Sequence, residues 1–253
     1  MANIIFITGT STGVGKTIAT GVILHQLRRR QIHALAIKPF CTGARSDIYH
    51  LRRLQDDELT PDEMNPFWFR KPLAPLVAAR RHPDLDEVHE YVCQIAVRCD
   101  ALLVEGAGGL LVPLGPYGSG SLTKLPCYTF ADVIERLDCS VVVVAPNKLG
   151  AINHSLLTLQ ALPSPAARRA ALMLMDSRRR DLAAQTNPAV LRRLITPRKV
   201  LLLPYLGTAP LSPGSLKKNS TILEKTLAPL LASSIVSSLF GKKKTAERET
   251  KRF

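Results

Sequence analysis

The chain has 253 residues, 46% of them hydrophobic and 21% charged, which excludes fibrous and disordered proteins and suits one α/β domain with a full core. Its unusual number is a net charge of +14, from 34 basic and 20 acidic residues. That bias raises nucleic acid, anionic membranes or phosphate-rich ligands as partners.

Residues 3–8 form a short β-rich apolar run that opens into a glycine-rich turn. A helix is expected from Lys16 to about Arg30, and a second strand over 33–38, bounded by Pro39. Residues 48–54 read as a helix with Asp47 as its N-cap. Residues 85–98 have helical spacing, with Val88, Val92 and Ile95 on one face. Residues 101–104 are a compact buried strand that ends at Glu105, and 130–137 a short helix. Residues 140–145 contain four consecutive valines, as expected of a strand covered on both faces. A helix over 150–162 follows, then strands at 170–175 and 200–203 with an arginine-rich helix between them. The last helix, over 221–240, places Leu223, Leu227, Leu231, Ile235 and Leu239 at a spacing of four. Residues 115–124 and 204–215 read as loops.

This alternation predicts an α/β fold of the P-loop NTPase type, a mostly parallel sheet with helices on both faces. One domain is expected over 1–240, with a basic tail over 241–253 expected to be disordered. Residues 242–253 hold six basic and two acidic residues, so the tail supplies +4 of the charge. The apolar stretch 226–240 is fifteen residues long, short of the roughly 20 that span a bilayer. The start, MANIIFITGT, lacks the pattern of a secretory signal, and the five cysteines show no CxxC spacing. A reduced, cytoplasmic setting is the expectation.

The sharpest local feature is Gly9-Thr10-Ser11-Thr12-Gly13-Val14-Gly15-Lys16-Thr17, between the first strand and the first helix. Small residues let backbone N–H groups wrap phosphates, and the helix N-terminus adds positive potential. A lysine at position 16 reaches β- and γ-phosphates, and a Thr17 hydroxyl can ligate Mg²⁺. The glycine that usually opens such a loop stands one residue early, at Gly9, where the usual position holds Thr10. Glu105 falls at the carboxyl edge of the sheet, where open α/β sheets bind ligands.

Several motifs then line up in order. GTSTGVGKT (9–17), KPFCTG (38–43), Ser46-Asp47, Asn65-Pro66-Phe67 with Pro72 and Pro75, VEGAGG (104–109) with Pro113-Leu114, TFAD (129–132) and KLGAINH (148–154) resemble, collinearly over roughly residues 3–206, the dethiobiotin synthetase family. The resemblance implies an ATP-dependent cyclo-ligase of biotin biosynthesis. Such an enzyme joins CO₂ to 7,8-diaminononanoate through a carbamate and a carbamic–phosphoric anhydride, and releases ADP and phosphate. It further implies catalytic roles for Lys16 and Lys38 beside the carbamate and γ-phosphate. ATP would be bound by Gly13, Val14, Gly15, Lys16, Thr17, Ile18, Asp47, Glu105, Gly106, Ala107, Gly108, Asp176, Pro204, Tyr205 and Leu206. Mg²⁺ would sit on Thr17, Asp47 and Glu105, an all-oxygen set suited to a hard cation. Thr12 and Thr42 would hydrogen-bond the diamine or its carbamate. Gly150 and Asn153 would receive the substrate carboxylate from a neighbouring subunit, so the implied assembly is a homodimer with active sites at the interface. His154 is read as a helix-packed structural residue without a catalytic role.

The chain departs from the family at four places. Ser11 stands where the family has aspartate, and Gly13 where the residue is often acidic. Asp176 replaces an asparagine that touches adenine, which predicts relaxed nucleotide preference because a carboxylate only accepts hydrogen bonds. The linker between Gly43 and Ser46 is short. The competing reading is a partner-regulated P-loop ATPase of the septum-site or partition type. Those proteins carry a lysine early in the loop, where this chain has Ser11. A GTPase is disfavoured because Asn147-Lys148-Leu149-Gly150 lacks the aspartate that reads guanine. No nucleic-acid recognition module accompanies the basic tail, so neither nucleic acid nor membrane is expected as a partner.

Overall fold

The computed structural model describes residues 2–116, 126–196 and 198–232. In chain order the elements are β1 (Asn3–Gly9), α1 (Lys16–Arg29), β2 (Ala34–Ile37), β3 (Phe40–Thr42), α2 (Ser46–Arg53), α3 (Pro61–Met64), β4 (Phe67–Phe69), α4 (Pro75–Ala78), α5 (Leu85–Ala96) and β5 (Ala101–Glu105). There follow β6 (Pro113–Pro116), β7 (Cys127–Thr129), α6 (Phe130–Leu137), β8 (Ser140–Pro146), α7 (Ala151–Gln160), α8 (Ser164–Arg168), β9 (Ala171–Met175), α9 (Leu182–Leu194), β10 (Lys199–Leu203), α10 (Pro213–Lys218) and α11 (Ser220–Leu231).

Six strands form one parallel sheet in the order β10-β9-β8-β1-β5-β2. The chain builds to one side of β1 with β2 and β5, then to the other with β8, β9 and β10. Loops leaving β1 therefore diverge from their neighbours at the carboxyl edge, which opens a crevice there. Strand β8 owes its central place to its composition. Val141, Val142, Val143 and Val144 are fully buried, which only a strand covered on both faces allows. On β1, Ile5, Phe6 and Ile7 are buried in the same way. Each such side chain removed from water contributes about 1.5–3 kcal/mol.

Helix α1 lays Ala19, Val22, Ile23 and Leu27 into the core. Gly21 sits inside it because a Cβ there would meet Leu211 Cδ2 at 2.6 Å. Helix α6 starts on a capping box between Thr129 and Asp132, and its first residue, Phe130, packs against Phe6 and Phe40. Helix α11 buries Leu223, Leu227, Leu230 and Leu231. The expected continuation through Ile235 and Leu239, and the basic tail over 241–253, lie outside the described residues. No described helix is long and apolar enough to cross a membrane.

Four expectations need correction. Asp47 does not cap α2; Arg45 holds that position and Asp47 lies in the first helical turn. Gly115 and Pro116, read as loop, belong to β6, paired antiparallel with β7; most of that loop lies outside the described residues. The loop over 204–215 is shorter, because Ser212 caps α10 and Pro213 begins it. Arg178 to Arg180 precede α9, whose own arginines are Arg192 and Arg193 at its end.

Burial predicts where the fold is sensitive. Ile7→Ala, in the middle of β1, is expected to lower unfolding free energy by about 2–5 kcal/mol. Val97→Ala, at an exposed position past α5, is expected to stay within about 0.5 kcal/mol. Denaturant melts of the two variants check the contrast.

Candidate active site

The loop over 9–17 joins β1 to α1 and turns on two left-handed glycines, Gly13 with φ 72° and Gly15 with φ 99°. Gly15 is the N-cap of α1. A Cβ there would also approach Met175 Cε at 2.9 Å, so the end of β9 presses against the loop. The early glycine has a packing reason. At Gly9 a Cβ would come within 2.7 Å of Val14 Cγ2 and 3.3 Å of Lys16 Cδ. The loop is thus closed by Val14 tucked beneath Gly9, and Thr10 needs no glycine.

Lys16 is buried, and its Nζ donates to the carbonyls of Ser11 at 3.0 Å and Gly108 at 2.6 Å. Burial lowers its pKa to about 8, aided by the positive charge of Lys38 and opposed by Glu105 and Asp47. At neutral pH it remains mostly a cation, poised over the loop.

Glu105 ends β5 and is fully buried. Its Oε1 accepts from the Thr17 hydroxyl at 2.8 Å and lies 2.9 Å from Lys38 Nζ. Its Oε2 has no protein partner. Lys38 follows β2, is buried, and also donates to Asp47 Oδ2. Burial alone would lower the Lys38 pKa, but the carboxylates of Glu105 and Asp47 outweigh it and raise it well above the ordinary lysine value. Lys38 is therefore a permanent cation at any physiological pH, unfit as a base and suited to holding anions.

Around this cluster opens a cavity of about 630 Å³. Thr12, Gly13, Gly15, Lys16, Thr17, Ile18, Lys38, Thr42, Asp47, Glu105, Ala107 and Gly108 all line it, as the sequence predicts. The opposite wall was not foreseen: Cys41, Ala44, the run Pro72 to Pro75, and Val112. Pro72 and Pro75 stood out in the sequence as motif residues, but nothing local marked them as lining a site.

The remaining expected residues lie elsewhere. Val14 is buried under Gly9, and Gly106 is packed against Phe6 and Phe130. Asp176 lies just past β9; its N–H donates to Leu203 O at 2.8 Å, next to Pro204, Tyr205 and Leu206 after β10. Asp176 Oδ1 accepts from Asn147 Nδ2 at 2.7 Å, and Oδ2 lies 3.4 Å from Arg180 Nε. Gly150, with φ 90°, caps α7, and Asn153 is exposed in its first turn. His154 is exposed as well, which corrects the reading of it as helix-packed. The geometry does not bring Gly150 and Asn153 to the cavity of their own chain.

The donor set fits a divalent cation. Thr17, Asp47 and Glu105 offer only oxygen, and Glu105 carries a buried oxygen without a partner. Among the described residues no three His, Cys, Asp or Glu side chains group to hold a metal. A site of two carboxylates and a hydroxyl suits a cation that keeps several waters and phosphate oxygens, as Mg²⁺ does.

Comparison with known proteins places these residues in a family. Residues 3–207 match a family model described as an AAA domain. The ATP-dependent dethiobiotin synthetase BioD of Bacillus licheniformis is 34% identical over 214 residues, covering 81% of this chain and 84% of the relative. That of Thermodesulfovibrio yellowstonii is 35% identical over 214 residues, covering 79% and 88%. Among solved structures, a MinC:MinD cell division protein complex of Aquifex aeolicus aligns with a TM-score of 0.57 at 15% identity, covering 92% of this chain and 97% of that one. That likeness shows a shared P-loop fold alone.

With Lys16 as a phosphate contact, its lowered pKa predicts pH-dependent nucleotide binding. The charged lysine attracts phosphate, so affinity is held below pH 8 and lost as pH rises through that value. Titrations of ATP in EDTA should show affinity about tenfold weaker at pH 9 than at pH 7. The step should vanish in Lys16→Met; a flat profile in the unsubstituted protein would contradict the assignment.

Proposed function

The chain belongs to the ATP-dependent dethiobiotin synthetase family, and from that premise we propose that it closes the cyclic urea of dethiobiotin on 7,8-diaminononanoate with CO₂, converting ATP to ADP and phosphate. The observation that carries this reading is the convergence of Lys16 and Lys38 on one cavity, with Glu105 and Asp47 both paired to Lys38. The reaction has to bring together a carbamate and a triphosphate, both anionic. Two buried ammonium groups, one permanently charged, oppose their repulsion and offset charge developing in transfer.

In this account an amine of the substrate adds to CO₂ and loses a proton, giving a carbamate. A carbamate oxygen displaces ADP from the γ-phosphorus, and the second amine then displaces phosphate from the carbonyl carbon, closing the ring. Gly13, Val14, Gly15 and Ile18 supply backbone to the phosphates, with Ala107 and Gly108 on the same cavity and Gly106 packed behind them. Lys16 leaves the carbonyls of Ser11 and Gly108 for phosphate oxygens. Lys38 faces the carbamate, and Thr12 and Thr42 orient the diamine by hydrogen bonds. Thr17, Asp47 and Glu105 would hold Mg²⁺, which when bound neutralises β- and γ-phosphate charge.

The base lies toward the end of β9, with Asp176 and residues Pro204, Tyr205 and Leu206. Both Asp176 oxygens are already engaged within the protein, by Asn147 and Arg180. This leaves little hydrogen bonding to read one base against another. Gly150 and Asn153 would serve the other active site of a homodimer. Supporting this, Leu149, just before the Gly150 cap, is 82% exposed and Leu157, on α7, is 57% exposed, so apolar side chains near Asn153 are open to a second copy. The enzyme would work in the cytoplasm, and its surface charge is not assigned to a nucleic acid or membrane.

Phosphate release from ATP should require both the diamine and bicarbonate, with dethiobiotin formed. Release independent of the diamine would favour the regulatory ATPase instead. Nucleotide comparison gives a second test. A pocket without committed base hydrogen bonds discriminates only weakly, so GTP and CTP should support turnover within about a hundredfold of ATP. A strict ATP requirement would overturn the weak reading of the base.

A further inference from the structure

Only four residues separate Thr42 from Asp47, and both ends of the segment face the cavity. Four residues therefore have to fix the distance between a hydroxyl and a carboxylate of the site. The structure shows how they are held. Strands β3 and β4 pair in parallel, Cys41 opposite Trp68 and Thr42 opposite Phe69. Just beyond, Gly43 N–H donates to Phe69 O at 2.9 Å, and Gly43 O accepts from Trp68 Nε1 at 2.8 Å. The Cys41 thiol donates to Ala44 O at 3.3 Å. Gly43 has φ 79°, and a Cβ there would press on Pro72 Cβ at 3.3 Å, so the turn needs glycine.

Arg45 locks the far end. Its guanidinium lies 5.2 Å from the centre of the Trp68 ring. It donates through Nη1 to Asp62 Oδ1 at 2.9 Å and through Nη2 to Pro61 O at 2.6 Å, with a longer contact to Asn65 O at 3.4 Å. Arg45 is also the N-cap residue of α2, two positions before Asp47, and its carbonyl accepts from Ile48 N–H at 3.1 Å. Its planar fork lies against Trp68 on one face and binds α3 through Nη1 and Nη2, while Nε is buried without a partner, an arrangement lysine cannot reproduce.

We propose that Arg45 and Trp68 form a clamp that positions Thr42 and Asp47 for the reaction by holding the four-residue strap between them. Neither residue lines the cavity, so both are positioning residues and act through the strap they hold. The proposal rests on the reading of Thr42 and Asp47 given above. Misplacing an orienting group by an ångström costs far more in turnover than in folding, so the clamp should show in substrate parameters.

Steady-state kinetics at saturating Mg²⁺ test it, with Arg45→Ala, Arg45→Lys and Trp68→Phe beside the controls Thr42→Ala and Asp47→Asn. Arg45→Ala should raise the diamine KM and lower kcat, together costing about tenfold or more in kcat/KM. Because Asp47 is placed on Mg²⁺, the KM for MgATP should rise as well, whereas ADP binding in EDTA, which rests on the loop over 9–17, should stay within about twofold of the unsubstituted protein. Arg45→Lys should restore part of the loss, and Trp68→Phe, which keeps the ring and removes one donor, should lie between. Trp68 is the single tryptophan of the chain, so its emission reports on the clamp directly, and acrylamide quenching should rise in Arg45→Ala. If Arg45→Ala fails to fold, Arg45→Lys and Trp68→Phe carry the same comparison. Wild-type diamine kinetics in the clamp variants, with Thr42→Ala and Asp47→Asn impaired, would overturn the proposal. So would an equal loss of ADP affinity in EDTA, the mark of a merely structural role. Full activity in Thr42→Ala and Asp47→Asn would instead overturn the site assignment beneath it.

Discussion

A fully buried carboxylate, Glu105, governs the arrangement of this protein. A charge removed from water is tolerated only when it is paired and hydrogen-bonded. Here the pairing comes from two separate stretches of chain, the Thr17 hydroxyl and the Lys38 ammonium, both on Oε1. Oε2 is left with no protein partner. Such an atom at the mouth of a polar crevice is unfavourable for stability alone and is best accounted for by a cation that completes it.

The sheet order is what makes that pairing available. Glu105 ends β5, which lies between β1 and β2. The loop after β1 delivers Lys16 and Thr17 from one side, and the chain leaving β2 delivers Lys38 from the other. The core beneath, with Ile5, Ile7, Ala36, Leu103 and Val104 fully buried, fixes the spacing of the strands. The charged cluster then needs only short side chains and one long lysine to close. Two lysines that feel the same carboxylate respond differently to it. Lys38 touches Glu105 and Asp47 and is held charged, while Lys16 touches only carbonyls and is pulled toward neutrality by burial.

Much of this was legible in the chain itself. The valine run predicts β8, the strand–loop–lysine pattern predicts the glycine turn that opens α1, and the apolar run 101–104 places Glu105 at the carboxyl edge of the sheet. These signals are local and each has a period or a spacing. What escaped prediction has neither. Strands β3 and β4 are three residues each and helices α3 and α4 a single turn, too short for any periodicity to register. The wall of Cys41, Ala44, Pro72 to Pro75 and Val112 assembles only when those pieces pack. Asp47 was seen as a cap because caps and metal ligands share the same residue types, and only three dimensions show its oxygen on Lys38. Arg28 pairs with Asp56 and Glu58, Arg169 with Asp138 and Arg180 with Asp176, so these arginines serve the fold and the net excess of charge lies in other cations.

The central claim is that Glu105 is buried in order to hold a cation beside phosphate. Replacing it with glutamine keeps the shape and the Thr17 contact and removes the charge. Binding of Mn²⁺ in the presence of ADP, followed by electron paramagnetic resonance on the unsubstituted protein and on Glu105→Gln, tests this directly. The account predicts that the variant still binds ADP and loses Mn²⁺ affinity by at least about tenfold. Equal Mn²⁺ affinity in the two proteins would contradict it.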